Sequence, residues 1–262
     1  MFDRPILQWV IEEAVASGTK DVVLVTGEGK ESLEAHFAPS PELEAALAAT
    51  GKLDLLKTIQ RISSLVNLRS VRQDEPKGLG HAVWTARDLV KQSDYFGVML
   101  ADDLVDADNP GLKQLVDFQT SQNIRGDGAG VVMLMEVPEK DVSKYGICEF
   151  KSASSGLVSR AVEKPMVGTT SSRMAIVARY LLPRGIMEIL EKCPQGPLGE
   201  IQLTDALNTL AERGKLYGYV LKGQRFDAGD RMGLLKANVH YYLKSELGPE
   251  VSEWLRELKL KN

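Results

Sequence analysis

With 262 residues, 44% hydrophobic and 26% charged, the chain has the length of one large domain and the composition of a globular one. A formal net charge of -4 lacks the basic excess of a general nucleic-acid surface. Two cysteines, Cys148 and Cys193, have neither pairing nor metal-ligand spacing, and no apolar run approaches the ~20 residues of a membrane span. The opening MFDRPILQW lacks the basic segment and long apolar core of a secretory signal, so a reduced, cytoplasmic protein is expected. Pro5 to Ala16 then places Ile6, Leu7, Val10, Ile11 and Ala14 at helical spacing, with Gly18 as the stop. Asp21 to Thr26 is a buried strand, so the chain enters on a helix with no strand before it.

Short helices are predicted at Lys30 to Phe37, Pro41 to Thr50 and Leu53 to Val66. The strand Asn67 to Arg72 leads into the loop QDEPKGLG and a helix over Leu79 to Leu89. Phe96 to Leu100 is an apolar run that stops at Asp102 and Asp103, which fits a strand buried on both faces of a sheet. A helix over Gly111 to Gln122 and a strand over Ala129 to Glu136 follow. The middle third changes to short strand-like runs at Tyr145 to Phe150, Val158 to Val162 and Ala175 to Leu181. Loops at Ser152 to Gly156 and Val167 to Arg173 separate them. Helices resume at Arg184 to Lys192, Ile201 to Arg213, Arg231 to Leu247 and Val251 to Leu258. Strand–helix alternation of this kind argues for a doubly wound α/β sheet.

Four loops carry candidate chemistry. In such sheets ligands bind just outside the carboxyl ends of the strands, where Asp102 is placed to hold Mg²⁺ against substrate phosphates. The competing role for Asp102 and Asp103 is to cap the helix that follows. Gly78 and Gly80 allow close backbone approach at a helix start, and Gln73 can offer its amide to a nucleobase edge. His81, one step into that helix, suits packing or capping rather than catalysis. Glu163 and Lys164 in an extended segment point to opposite sides unless the backbone bends, and Pro165 biases Lys164 towards extension. Glu200 and Thr204 can face a polyhydroxylated ligand, although Glu200 equally suits the start of the helix that follows. Asp227 in RFDAG is either a second metal ligand or a turn-former.

Taken in order, KGLGHAV, LADDLVD, KYGI, VEKP, GEIQLTDAL and FDAG resemble the bacterial UTP–glucose-1-phosphate uridylyltransferases over nearly the whole chain. The resemblance implies a Rossmann-like mixed, mostly parallel α/β sheet of the sugar-phosphate nucleotidyltransferase type. It implies a single domain, with residues 1–136 as the nucleotide-binding half and 137–262 as the sugar-binding half and C-terminal helices. The implied reaction is the Mg²⁺-dependent conversion of UTP and glucose 1-phosphate into UDP-glucose and pyrophosphate, by a homo-oligomer. By position, Asp102 resembles the metal-binding aspartate and Asp227 a second carboxylate at the metal. Gln73 and Gly78 match positions that meet uracil, and Gly146 and Glu163 positions that hold glucose. Lys164 matches the lysine at the sugar phosphate, with Glu200 and Thr204 in the sugar-side segment. The nucleophile is the substrate's own phosphate oxygen, which suits a chain with three histidines and no nucleophile–base triad.

One departure matters. The family's glycine-rich phosphate loop precedes the stretch equivalent to DRPILQW, and Met1 and Phe2 stand where it has already ended. About twenty to twenty-five residues, one strand and a phosphate loop, are missing by this measure, and severely impaired turnover is expected of the chain as written. Three alternatives follow: a non-catalytic nucleotide-sugar-binding partner, a sister enzyme with another base or sugar, and a nicotinamide-dependent dehydrogenase. The last needs G-x-G-x-x-G, and GEGKES at Gly27 to Ser32 has only its first two glycines.

Overall fold

The computed structural model describes residues 3–152, 156–196 and 199–259. The chain begins with α1 (Ile6–Ala16), β1 (Asp21–Thr26), α2 (Glu31–Phe37), α3 (Pro41–Ala49), α4 (Leu53–Ser63) and β2 (Asn67–Arg72). It continues through α5 (Gly78–Thr85), α6 (Arg87–Val90), β3 (Tyr95–Met99), β4 (Asp103–Asp106), α7 (Gly111–Ser121) and β5 (Gly130–Glu136). A 3-10 turn over Glu139–Lys144 leads to β6 (Gly146–Phe150), β7 (Val158–Glu163), β8 (Met174–Pro183), α8 (Ile186–Glu191) and α9 (Leu203–Glu212). Last come β9 (Leu216–Val220), β10 (Gln224–Asp227), α10 (Arg231–Leu243) and α11 (Gly248–Lys259).

The main sheet is built around β8. Its late residues pair antiparallel with β3, and its early residues pair antiparallel with β6, which hairpins onto β7. On its other side β8 pairs antiparallel with β5, and β9 adds to β5 in parallel. So β3, β5 and β9 run one way and β8 runs against them, which makes the sheet mixed. β1 and β2 form a parallel pair of their own, and β4 and β10 an antiparallel ribbon.

Alternation along β5 explains why helices cover both faces of this sheet. Val132 and Leu134 join Val83, Ile186, Leu190 and Leu207 from α5, α8 and α9. Val131 and Met133 turn the other way, onto Leu115 of α7 and Ile124. A third core, with Val10, Leu104, Phe226 and Ala237, lies under the β4–β10 ribbon.

Three of these strands, β4, β9 and β10, are not in the sequence reading. β4 also overturns one expectation: no helix follows Asp102 and Asp103 directly, so they cap none. β3 is half-buried rather than buried on both faces, with Gly97 exposed. Among the described strands it pairs only with β8. The expected loop at Ser152 to Gly156 lies in part outside the described residues, as do Met1 and Phe2.

Candidate active site

The β4–β10 ribbon sets Asp103 opposite Asp227, which brings LADDLVD and RFDAG together. Ala228 donates its N–H to the Asp102 carbonyl at 2.7 Å and locks the two turns to each other. A Cβ at Gly229 would lie 2.9 Å from Asp102 Oδ2 and 3.3 Å from Asp227 Oδ1. Two carboxylates therefore converge on a point left open by a glycine. No group of three or more His, Cys, Asp or Glu among the described residues could hold a metal ion. Two carboxylate oxygens with the remaining positions free fit Mg²⁺, which keeps several waters and fills its shell with substrate phosphates.

Asp103 is no part of that grip. It is buried against Arg225, whose Nε sits 2.7 Å from Oδ1 and 2.8 Å from Oδ2. Burial pushes its carboxyl up to about 6, against the pull of Arg225. Asp102 lies in the turn before β4 and faces Gly229, whereas Asp103, the first strand residue, takes the interior. Arg225 also approaches Asp227 Oδ2 at 3.4 Å and donates to the Tyr145 hydroxyl at 3.3 Å. One guanidinium thus ties the acidic pair to the residue before Gly146. Deeper still, Arg179 is fully buried on β8 and holds both oxygens of Glu13, at 2.9 and 2.7 Å. It donates to the Asp103 carbonyl at 2.9 Å, fixing the aspartate turn from beneath.

On the β6–β7 hairpin, Gly146 is paired with Glu163. Thr204, at the start of α9, donates its hydroxyl to Glu163 Oε2 at 2.6 Å. A Cβ on Gly146 would fall 3.3 Å from that same oxygen. Gly146, Glu163 and Thr204 are thus one group. Lys164 departs from the extended conformation that Pro165 favours: its φ is +44°. Its N–H donates to the Tyr145 carbonyl at 3.0 Å, and that tertiary bond overrides the local preference. The bend brings Lys164 Nζ to 3.9 Å from Glu163 Oε1, on the same side of the hairpin.

The loop before α5 makes the third group. Gln73 Nε2 lies 3.3 Å from the Gly78 carbonyl and 2.9 Å from His81 Nδ1. Gly78 has φ +87°, a conformation glycine adopts freely. What Gly78 and Gly80 approach closely is the backbone of Ile201, which accepts the Gly80 N–H at 2.9 Å. Glu200 stands with this loop, not with Thr204: its Cβ adjoins Gly78, and its carboxylate accepts from Gln202 at 2.8 Å.

The sequence profile described as nucleotidyl transferase matches residues 1–243. The chain belongs to the nucleotidyl transferase family. The UTP–glucose-1-phosphate uridylyltransferase 1 of Staphylococcus saprophyticus is 38% identical over 98% of this chain and 89% of its own length. The uridylyltransferase of Bacillus subtilis is 38% identical over 93% of this chain and 82% of its own. A UTP-bound UGPase structure from Acinetobacter baumannii superposes with a TM-score of 0.86 at 38% identity, covering 98% of this chain and 89% of that one. A UDP-glucose pyrophosphorylase complexed with UDP-glucose gives 0.80 at 35% identity over 93% of this chain and 88% of that one.

For this nucleotidyltransferase, sequence reasoning missed Glu13, Tyr145, Arg179 and Arg225. Only Arg179 carries a signal: it is a lone charge inside the apolar run AIVARYLLP, and a charge so placed must be paired. Glu13 looks like an ordinary polar residue of an amphipathic helix. No helix of the described residues is long and apolar enough to cross a membrane.

Proposed function

We propose that this nucleotidyltransferase transfers the uridylyl group of UTP to glucose 1-phosphate, with Mg²⁺ as its cofactor. A phosphate oxygen of glucose 1-phosphate forms the new bond to the α-phosphorus. The bond from that phosphorus to the α–β bridging oxygen breaks, and pyrophosphate leaves with the electron pair. Such a transfer needs positioning and charge neutralisation more than covalent help from the protein.

The observation that carries the reading is the convergence of Asp102 and Asp227 across Gly229. When bound there, Mg²⁺ supplies charge neutralisation for the triphosphate. Gln73 and Gly78 meet the uracil. Gly146, Glu163 and Thr204 hold the glucose, with the Thr204 hydroxyl orienting the Glu163 carboxylate. Lys164 brings its ammonium to the sugar phosphate, and its bent backbone supports that role. Glu200 borders the nucleotide loop and reaches the sugar only from that side. Residues 1–136 furnish the nucleotide half, and 137–262 the sugar half and terminal helices. Two free cysteines suit a reducing cytoplasm.

The test supplies UTP, glucose 1-phosphate and Mg²⁺ and follows both products. UDP-glucose and pyrophosphate are expected in equal amounts, with a loss of at least about 100-fold in Asp102→Asn. Calorimetric binding of UDP-glucose without product under any divalent metal would make the chain a binding partner instead. Faster product formation from another nucleoside triphosphate would move it to a sister specificity.

A further inference from the structure

We infer that His81 is a positioning residue that fixes which nucleobase edge Gln73 accepts; the inference rests on the reading of Gln73 as the uracil contact. The backbone of Gln73 is anchored by its N–H, which donates to the Thr26 carbonyl at 2.8 Å. Its side-chain nitrogen lies between two partners, the Gly78 carbonyl at 3.3 Å and His81 Nδ1 at 2.9 Å. A carbonyl oxygen can only accept, so it is the amide nitrogen and not the amide oxygen that faces Gly78. With the nitrogen so placed, His81 Nδ1 must accept as well, which puts the imidazole proton on Nε2.

Both amide hydrogens of Gln73 are then used inside the protein. The atom left for a ligand is Oε1, and it can only accept. A base docked edge-on must therefore bring an N–H to it. Uracil and thymine carry a proton on N3, whereas cytosine carries a lone pair there. A site registered on N3–H discriminates against cytosine, whose only N–H on that edge is the 4-amino group one position away, because at N3 a buried acceptor is left facing an acceptor.

His81 is the stronger of the two restraints, since the Gly78 contact is long. Without it only the long Gly78 contact opposes a turn of the amide that offers its NH₂ to cytosine N3. The imidazole is itself held: Trp84 lies 6.0 Å from it, ring centroid to centroid, and Arg87 covers Trp84 with its guanidinium 3.7 Å from the ring. His81 does more than the packing or capping expected of it.

Calorimetry on the full chain, with UDP-glucose and CDP-glucose as the probes, tests this without any need for turnover. The native protein is expected to prefer UDP-glucose. His81→Leu should reduce that preference by about tenfold, the worth of one oriented hydrogen bond. His81→Asn should retain it to within about threefold, because its Oδ1 takes up the place of Nδ1 and still accepts. A folded His81→Leu protein with undiminished preference would overturn the inference, as would equal loss in the Leu and Asn variants. If His81→Leu does not fold, the imidazole nitrogen resonances of the native protein decide: an unprotonated Nδ1 supports the inference, and a protonated Nδ1 overturns it. A native protein that binds the two nucleotide sugars equally would overturn the uracil reading of Gln73, and the role of His81 with it.

Discussion

A methyl group on residue 229 would meet Asp102 Oδ2 at 2.9 Å and Asp227 Oδ1 at 3.3 Å, in the place proposed for the cation. The Gly229 backbone lies outside the left-handed region, so alanine meets no conformational objection there. Gly229→Ala should consequently leave the melting temperature nearly unchanged while weakening the apparent Mg²⁺ affinity by about tenfold or more. Titration of initial rate against Mg²⁺ measures it, and an unaltered midpoint would count against the shared site. At this scale the sequence was a partial guide. The closeness of Asp102 and Asp227 was legible from their places at strand ends on one side of a sheet. Lys164 was legible as a residue but not as a conformation. The rule for residues before proline favours extension, and only the carbonyl of Tyr145, nineteen positions upstream, reverses it. Arg225 gave no signal, because its three partners come from β4, from β10 and from the residue before β6.

Between elements, the aspartate turn is held by charges that the reaction itself does not use. Arg179 on β8 clamps Glu13 of α1, and Glu13 also accepts the Leu112 N–H of α7 at 3.0 Å. Removing one partner of a buried pair strands the other, at about 3–5 kcal/mol. Arg179→Met should therefore lower stability by that amount in urea unfolding. Adding Glu13→Gln should recover more than half, since the amide stays neutral and its oxygen still accepts from Leu112. A double variant as unstable as the single one would rule out the stranded charge as the cause.

β4 is tied to α10 in a similar way, at a more exposed position. Asp106 accepts from His240 and from Lys244, each at 2.6 Å. Burial raises the Asp106 carboxyl, but the bonds from Lys244 and His240 pull harder, so it titrates below its usual range. A depressed carboxyl contributes stability above its unfolded pKa and loses it as pH falls through the folded one. Asp106→Asn should thus cost about 0.5–1 kcal/mol at pH 7. The difference from the native protein should close as pH falls below the ordinary carboxylate range and through the lowered one of the native Asp106, where it too gains its proton. Melting curves of both proteins across that range test the sign. None of this ribbon was foreseen: β4 and β10 are four residues each, and DLVD and QRFD read alone as turn sequence. The long helices were legible from apolar residues at helical spacing, and β5 from its continuous apolar run.

At the scale of the molecule, the main sheet draws its strands from both halves of the chain. β8 comes from the second half, yet it lies between β3 and β5 of the first, and β9 closes the same sheet beyond β5. Sequence order alone gave the alternation of helix and strand but not this insertion, because which strand enters between two others depends on pairings far apart in the chain, Tyr95 with Pro183 and Glu136 with Met174. The loop before α5 is stitched to the loop before α9 in the same spirit. Ile201 donates its N–H to the Lys77 carbonyl at 2.8 Å and accepts from Gly80 at 2.9 Å, a two-bond seam with no side chain between. A Cβ on Gly80 would stand 2.7 Å from Ile201 O and 3.0 Å from Gln202 C, and both are backbone atoms that cannot rotate away. Gly80→Ala must therefore separate the loops. Overpacking of this kind costs about 1–3 kcal/mol, and the separation moves Gln73 and Gly78 relative to Glu163 and Thr204. The expected outcome is a folded protein with a lower melting temperature and weaker UDP-glucose binding. The separate affinities for UTP and glucose 1-phosphate should change less, because only the joined ligand spans the seam. Calorimetry with all three ligands distinguishes this from a local fault in the loop before α5, which on the proposed reading would weaken UTP as much as UDP-glucose.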